Sequence, residues 1–503
     1  MPDVTTTSGI LLVFAIILPI AGVLLSLVVG GRQVERIASI ILPCNLILAS
    51  AIFFDLWRSG SQLIYIVGGW HPPLGITLRA DGLSAAMMVT TGVVICVVGV
   101  FAHADFNSRA EPFETRAPFV FWVLLMAIGC AMNMVFLGGD LFTLYVAIEL
   151  LTFAAVPFVC LDGRAETVQA ALRYLLFALL GSILYLAGAA LLYGSYATLD
   201  VVLLSQQLRV ETATLVAAAM MTVGLFAKTA LFPLHLWLPP AHAGAPASAS
   251  AVLSAVVVKG SFFLVVRLWF GVMPGLLGFA GAQLVGALGA GAIIFGSVVA
   301  LRQKRLKLLI AYSTVAQIGY LFLMFPLAFD SVSAQLQSNE ALTGGMLLAM
   351  SHATAKAAMF MAAGLIYAAL GHDRIAELGG AARALPMTVF AFAIGGVCLI
   401  GLPPSGGFLA KWLLLDAAIA TGRWSWAVAL LAGGLLTAGY VFIVVSGALG
   451  SPQEPLKLRV AVPKYQEAAA LTLALLSLLL GLVVLGPIDV LQVRPKAMMT
   501  VLQ

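Results

Sequence analysis

About fourteen apolar runs follow one another along this chain with barely a polar interval between them. They lie near 10–30, 37–57, 83–102, 117–137, 140–161, 171–194, 212–243, 247–270, 276–301, 308–329, 341–369, 386–421, 425–448 and 466–487. A helix of about 20 apolar residues crosses a bilayer, and a bilayer is the one solvent that tolerates so many such runs in series. Only 9% of the 503 residues are charged and 62% are hydrophobic, against roughly 25% charged in soluble domains. The chain is therefore read as an all-α membrane protein of about 14 transmembrane helices. The first run has Asp3 and no basic residue before it and is long enough to span, so it is taken as a helix rather than a cleaved signal. The five cysteines stand singly in apolar segments, which predicts neither a disulfide framework nor a metal cluster. The formal charge of +5 carries no nucleic-acid reading, because basic residues in such a chain mainly set orientation.

With the N-terminus placed outside, fifteen of the 26 Lys and Arg fall on one set of loops and six on the other. Basic loops face the cytoplasm, so both termini are expected on the outer, periplasmic side of the cell (inner) membrane. The seventh and twelfth runs are too long and too rich in proline to be single straight helices. Their five-helix spacing predicts two related five-helix repeats, the second inverted, with discontinuous helices 7 and 12. The expected organisation is an N-terminal three-helix segment (1–116), a first repeat (117–272), a second (273–448) and a C-terminal helix and tail (449–503). Broken helices at matching positions of two halves point to a transport site.

Charges inside the spans cost about 2.5 to 3.5 kcal/mol each at a helix centre, so they demand a role. Glu149 sits among apolar neighbours, where a carboxyl is suited to exchanging a proton, the alternative being a fixed ion pair between helices. Lys228 lies just before Pro233, which removes a backbone donor and frees a carbonyl. A carboxylate moving towards or away from Lys228 would switch it between holding and releasing its proton. Lys259 is mid-span in VVVKGSFF, and Lys411 follows the second break in GLPPSGGFLAK. His352 and Lys356, four residues apart, share one helix face, and a histidine is suited to carry a proton between lysines. His235 and His242 follow Pro233 and lack the further ligands that a metal site needs. Asp81, Asp140, Asp416 and Arg267 lie near span ends, where helix-dipole complementation accounts for them.

Six ordered segments, those holding Glu149, PLHLWLPPAH with Lys228 before it, Lys259, LKLLIAYSTVAQIG with Lys307, His352 to Gly364, and GLPPSGGFLAK, resemble one family. It is the antiporter-like membrane subunit family shared by Mrp cation/proton antiporters, membrane-bound hydrogenases and proton-pumping NADH:quinone oxidoreductase (respiratory complex I). The stretch GGWHPPLGI followed by DGLSA looks most like the D-type Mrp subunit, and the short tail disfavours the distal respiratory subunit with its long lateral helix. The resemblance implies 14 helices with inverted repeats, and proton translocation through Glu149, Lys228, Lys259, His352 and Lys411. Lys356, His235, His242 and Lys307 are further candidates for relay or gating. Two departures stand out: Arg305 where relatives carry an acid, and Pro157 just beyond Glu149.

The resulting expectation is a proton-translocating subunit of a multisubunit Na⁺/proton antiporter, working beside other membrane subunits, including homologous antiporter-like ones, and in contact with lipid. A pump subunit in the membrane arm of a redox-driven complex is the nearest alternative, and a non-conducting scaffold the next. No metal, cofactor or redox chemistry is expected in this chain.

Overall fold

The computed structural model describes residues 4–107, 116–274, 276, 278–329, 339–451 and 458–482. Asp3, the loop residues Arg109, Lys457, Arg494 and Lys496, and the end of the last expected span lie outside them. The helices are α1 (Ile10–Val29), α2 (Val34–Ser59), α3 (Gly82–Ala102), α4 (Arg116–Leu137), α5 (Leu141–Val159), α6 (Ala165–Tyr196), α7 (Val201–Gln207), α8 (Thr212–Thr229) and α9 (Leu238–Gly244). They continue with α10 (Ala247–Val272), α11 (Gly278–Leu301), α12 (Leu306–Ala328), α13 (Asn339–Leu370), α14 (Pro386–Ile400), α15 (Gly406–Ala420), α16 (Trp424–Leu449) and α17 (Lys464–Leu479). Among the described residues, twelve helices are long and apolar enough to cross a membrane. The pair α14 and α15 and the shorter α17 add to these.

Both proline-rich runs are interrupted where their prolines lie. Helix α8 ends at Thr229 with Ala230 in the left-handed region (φ 59°), and the chain turns through Pro233 before α9. Helix α14 ends on Gly401 at φ 87°, a conformation that glycine adopts without a Cβ clash. Ser405 then caps α15 by accepting from the Phe408 N–H at 3.1 Å. Pro157 falls in the last turn of α5, two turns beyond Glu149.

Beside the helices, the described residues hold a short antiparallel hairpin of β1 (Leu63–Ile66) and β2 (Thr77–Ala80). Chain between spans must still satisfy its backbone groups, and these β-branched and aromatic residues do so by pairing. The hairpin is fastened to the bundle through Asp200, which accepts from Thr77 Oγ1 at 3.1 Å and pairs with Arg79 at 3.3 Å while capping α7.

The core runs along α10, which is wholly buried, with α12 and α13 nearly so, whereas α1 and α2 turn most of their surface outward. Close crossings hold the bundle together. A Cβ on Gly181 of α6 would sit 2.5 Å from the Gly224 carbonyl of α8, and one on Gly289 of α11 would sit 2.7 Å from the Gly319 carbonyl of α12. Small residues let backbones meet at these points.

Candidate functional site

The first charged centre forms where α5, α6 and α8 meet. Glu149 of α5 and Lys228 of α8 make an ion pair at 3.0 Å, with side chains only 14% and 6% exposed. The Lys228 ammonium also donates to Thr152 Oγ1 at 2.8 Å, and Ser182 of α6 donates to the same Glu149 oxygen. Glycines at 181 and 224 let α6 and α8 cross closely beside this pair. Lys228 occupies the next-to-last position of α8, so the helix break begins beside it. The break is repaired by Trp237, whose indole donates to the Ala227 carbonyl at 2.9 Å and whose ring stacks on Tyr174 at 4.1 Å. Thr152 and Ser182 escaped the sequence reading. Thr152 was within reach of it, being three residues after Glu149 on the same helix face.

A hydroxyl bridge leads from here into the core: Thr229 Oγ1, next to Lys228, donates to Ser261 Oγ of α10 at 3.0 Å. Two residues before Ser261 stands Lys259, 1% exposed, whose ammonium donates to the Ser254 carbonyl of its own helix. That carbonyl lies in a π-helical turn, Leu253–Val257, where the widened helix offers backbone oxygen to a side chain. Ser254 Oγ in turn meets Thr314 Oγ1 of α12 at 3.0 Å.

Lys356 of α13 is fully buried and donates to the Ile310 carbonyl of α12 at 3.0 Å and to Ser313 Oγ. His352, one turn earlier, is 1% exposed, and both of its ring nitrogens lack a hydrogen-bond partner among the described residues. It lies within electrostatic reach of Lys259, Lys356 and Lys411. A buried imidazole with two open nitrogens, among ammonium groups, is placed to pass a proton in either direction once water reaches it.

Lys411 of α15 reaches back across the second break. Its ammonium donates to the carbonyls of Leu399 and Ile400, at 2.7 and 3.2 Å, and lies 3.9 Å from the centre of the Tyr320 ring. The last carbonyls of a helix have no intrahelical donor and carry the negative end of its dipole, so α14 offers Lys411 a partial negative charge in place of an acid. Tyr320 adds cation–π attraction, and its place in this site was not read from the sequence.

The relay candidates divide. Lys307, at the start of α12, donates to the Ala245 carbonyl at 3.1 Å and borders a cleft of about 250 Å³. His242 is buried and stacked on Phe360 of α13, and His235 lies between the rings of Phe232 and Phe295. Each of these histidines has an unpartnered Nδ1 among the described residues. Arg305 pairs with Asp373 at 3.0 Å, so the acid absent from its position is met from the loop after α13. Asp81 caps α3, as its position predicts, and also grips Arg267 through two bonds of 2.5 Å. Asp140 caps α5 through the N–H groups of Phe142 and Thr143. Among the described residues no group of three His, Cys, Asp or Glu side chains is arranged to hold a metal ion.

Residues 138–437, which contain Glu149, Lys228, Lys259, His352 and Lys411, match the family described as NADH:quinone oxidoreductase/Mrp antiporter, TM. The chain is 33% identical to NADH-quinone oxidoreductase subunit N of Desulforudis audaxviator, over 85% of each chain. It is 28% identical to the D-type subunit of a Na(+)/H(+) antiporter from Alkalihalophilus pseudofirmus, over 85% of this chain and 84% of that one. Its fold superposes on a chain of the Mrp complex from Dietzia sp. with a TM-score of 0.85, at 24% identity and over 97% of both chains. With more than half its length matched and its membrane bundle shared, this chain belongs to the NADH:quinone oxidoreductase/Mrp antiporter transmembrane family.

Proposed function

We propose that this chain is the proton-translocating subunit of a multisubunit Na⁺/proton antiporter of the Mrp D type, seated in the cell membrane among other membrane subunits. In this reading Glu149 and Lys228 are the switching pair, Lys259 and His352 the relays, and Lys411 the far access. Lys356, His235, His242 and Lys307 serve as further relay or gating groups.

The observation that carries the reading is the contrast between one lysine paired with an acid and three held only by carbonyls, hydroxyls and a ring. Charge-assisted hydrogen bonds are worth about 1.5 to 3 kcal/mol, and moving one elementary charge across 100 mV costs about 2.3 kcal/mol. Opening or closing the Glu149–Lys228 contact is therefore matched in energy to moving one proton against a membrane potential. A partner subunit that shifts α5 against α8 by a few ångströms would drive it.

A pump subunit of a redox-driven membrane arm is the second reading, favoured by the 33% identity to a quinone oxidoreductase subunit. The subunits that co-purify with the chain decide between them: iron–sulfur proteins mean redox drive, and their absence means secondary antiport. In vesicles holding the intact assembly, Lys228→Ala is expected to abolish proton movement. Undiminished transport by a normally assembled variant would replace both readings with that of a scaffold.

A further inference from the structure

The flank of the bundle where α6 meets α9 and α12 carries a groove whose lining goes beyond the two relay candidates, Lys307 and His235, that border it. Its polar end is the cleft of about 250 Å³ bordered by Arg164, Arg173, Arg305, Lys307 and the single acid Glu166. Its more apolar end is a second cavity of about 320 Å³ between Phe177, His235, Leu236, Pro239 and Tyr312, and Arg173 and Pro240 belong to both. Around it the surface is greasy and open, with Leu172 55%, Leu176 69% and Leu236 57% exposed.

One base in the polar end has no partner among the described residues. Asp162 pairs with Arg164, and Asp373 takes Arg305 at 3.0 Å. Arg173 is exposed and has no hydrogen bond or ion pair among the described residues. Glu166 lines the cleft and Asp105 lies within electrostatic reach of Lys307, so what the polar end offers an anion is the unpartnered guanidinium of Arg173.

Its depth matters equally. Helix α6 has 32 residues, about 48 Å at about 1.5 Å per residue, against about 30 Å of hydrocarbon. Its ends therefore project by about 9 Å each. Arg173, eight residues from the start of α6 and so about 12 Å along it, sits where acyl chains give way to headgroups.

We propose that this groove is a binding site for one anionic glycerophospholipid, with its phosphodiester on Arg173 and the neighbouring guanidinium groups and an acyl chain along Phe177, Leu236 and Tyr312. The guanidinium fork matches phosphate oxygens in pairs, the one unpartnered guanidinium matches a phosphodiester monoanion, and basic recesses between membrane helices on the Lys/Arg-rich side favour such headgroups. The lipid would brace α6 against α9 and α12 across the first helix break. The site stands on its own and does not depend on the direction or drive of ion transport.

The test is native mass spectrometry of the purified assembly after exchange into phosphatidylglycerol, phosphatidylcholine or inorganic phosphate without lipid. The unaltered protein is expected to retain one phosphatidylglycerol at least tenfold better than phosphatidylcholine. Arg173→Gln should lose that preference about tenfold, Arg173→Lys should recover part of it, and Arg209→Gln, outside the groove, should change nothing. Equal retention of both lipids, full retention by Arg173→Gln, or retention of phosphate alone would overturn the proposal. A photo-crosslinker at position 236 in the intact membrane assembly supplies an independent arm. A phospholipid adduct supports the site, and an adduct with another polypeptide refutes it.

Discussion

Removing either member of the Glu149–Lys228 pair should cost far more than its share of removing both. The pair is closed at 3.0 Å with both side chains largely shielded from solvent. In Lys228→Met the carboxylate would keep only the Ser182 hydroxyl, and in Glu149→Gln the ammonium would keep Thr152 and a neutral amide oxygen. Stranding one charge of a buried pair costs about 3 to 5 kcal/mol. The slight exposure of Glu149 places each single variant near the lower bound, about 3 kcal/mol. The double variant leaves no stranded charge and should lose no more than one single variant, about 3 kcal/mol in total, so the coupling between the sites is at least about 3 kcal/mol. Chemical unfolding of the four proteins in mixed micelles measures this cycle, and proton uptake by vesicles measures function in parallel. The double variant should fall well short of the summed single losses while transport stays absent. Additive losses, with coupling below about 0.5 kcal/mol, would refute the pairing, and transport by Lys228→Met would refute its role.

Lys411→Met should abolish proton transport while lowering stability by no more than about 2 kcal/mol, because the Leu399 and Ile400 carbonyls at the helix break lose a donor but no buried acid is stranded; unchanged vesicle transport would count against it. Trp237→Phe keeps the stack on Tyr174 but leaves the Ala227 carbonyl without its indole donor, a loss of about 1 to 3 kcal/mol readable by unfolding in micelles. Gly181→Ala would place a Cβ 2.5 Å from the Gly224 carbonyl and 3.2 Å from Lys228 Cγ. Overpacking of this kind costs about 1 to 3 kcal/mol, and transport should fall with it, whereas Gly194→Ala, with open space around its Cβ, should be silent in both assays.

The buried lysines were legible because the cost of an ammonium in hydrocarbon is a property of the local sequence. Lys228, Lys259, Lys356 and Lys411 each stand among apolar residues, and no arrangement of neighbours makes such a position neutral. The two helix breaks were legible for the same reason, since a missing amide donor at Pro233 acts within one turn. What holds each lysine was not legible. Glu149 and Lys228, 79 positions apart, were named together through the family resemblance; no local pattern announces that α5 and α8 pack on α6 so as to close their contact at 3.0 Å. The carbonyls that receive Lys411 belong to the other half of its own broken helix, so their role follows only from the turn through 401–405. The hairpin escaped because strands of four residues carry too little periodicity to stand out among spans of twenty.

The way each lysine is held bears on how charge can move along the core. A carboxylate partner can itself take up a proton and let go, so the contact at Lys228 has two chemical states and can act as a switch. A backbone carbonyl cannot be protonated at any relevant pH, so Lys259, Lys356 and Lys411 rest in cradles of fixed polarity that stabilise an ammonium by the same amount at every stage. A proton placed on one of them gains or loses only through its neighbours, and the neighbour shared by all three is His352, within electrostatic reach of each. Adding an acid beside the carbonyl cradle of Lys411, as a Leu399→Glu substitution would attempt, should therefore trap the proton rather than speed it. Proton uptake by vesicles carrying that variant reads the outcome, and a rate at or above that of the unaltered protein would show that a fixed cradle is not what lets the proton leave.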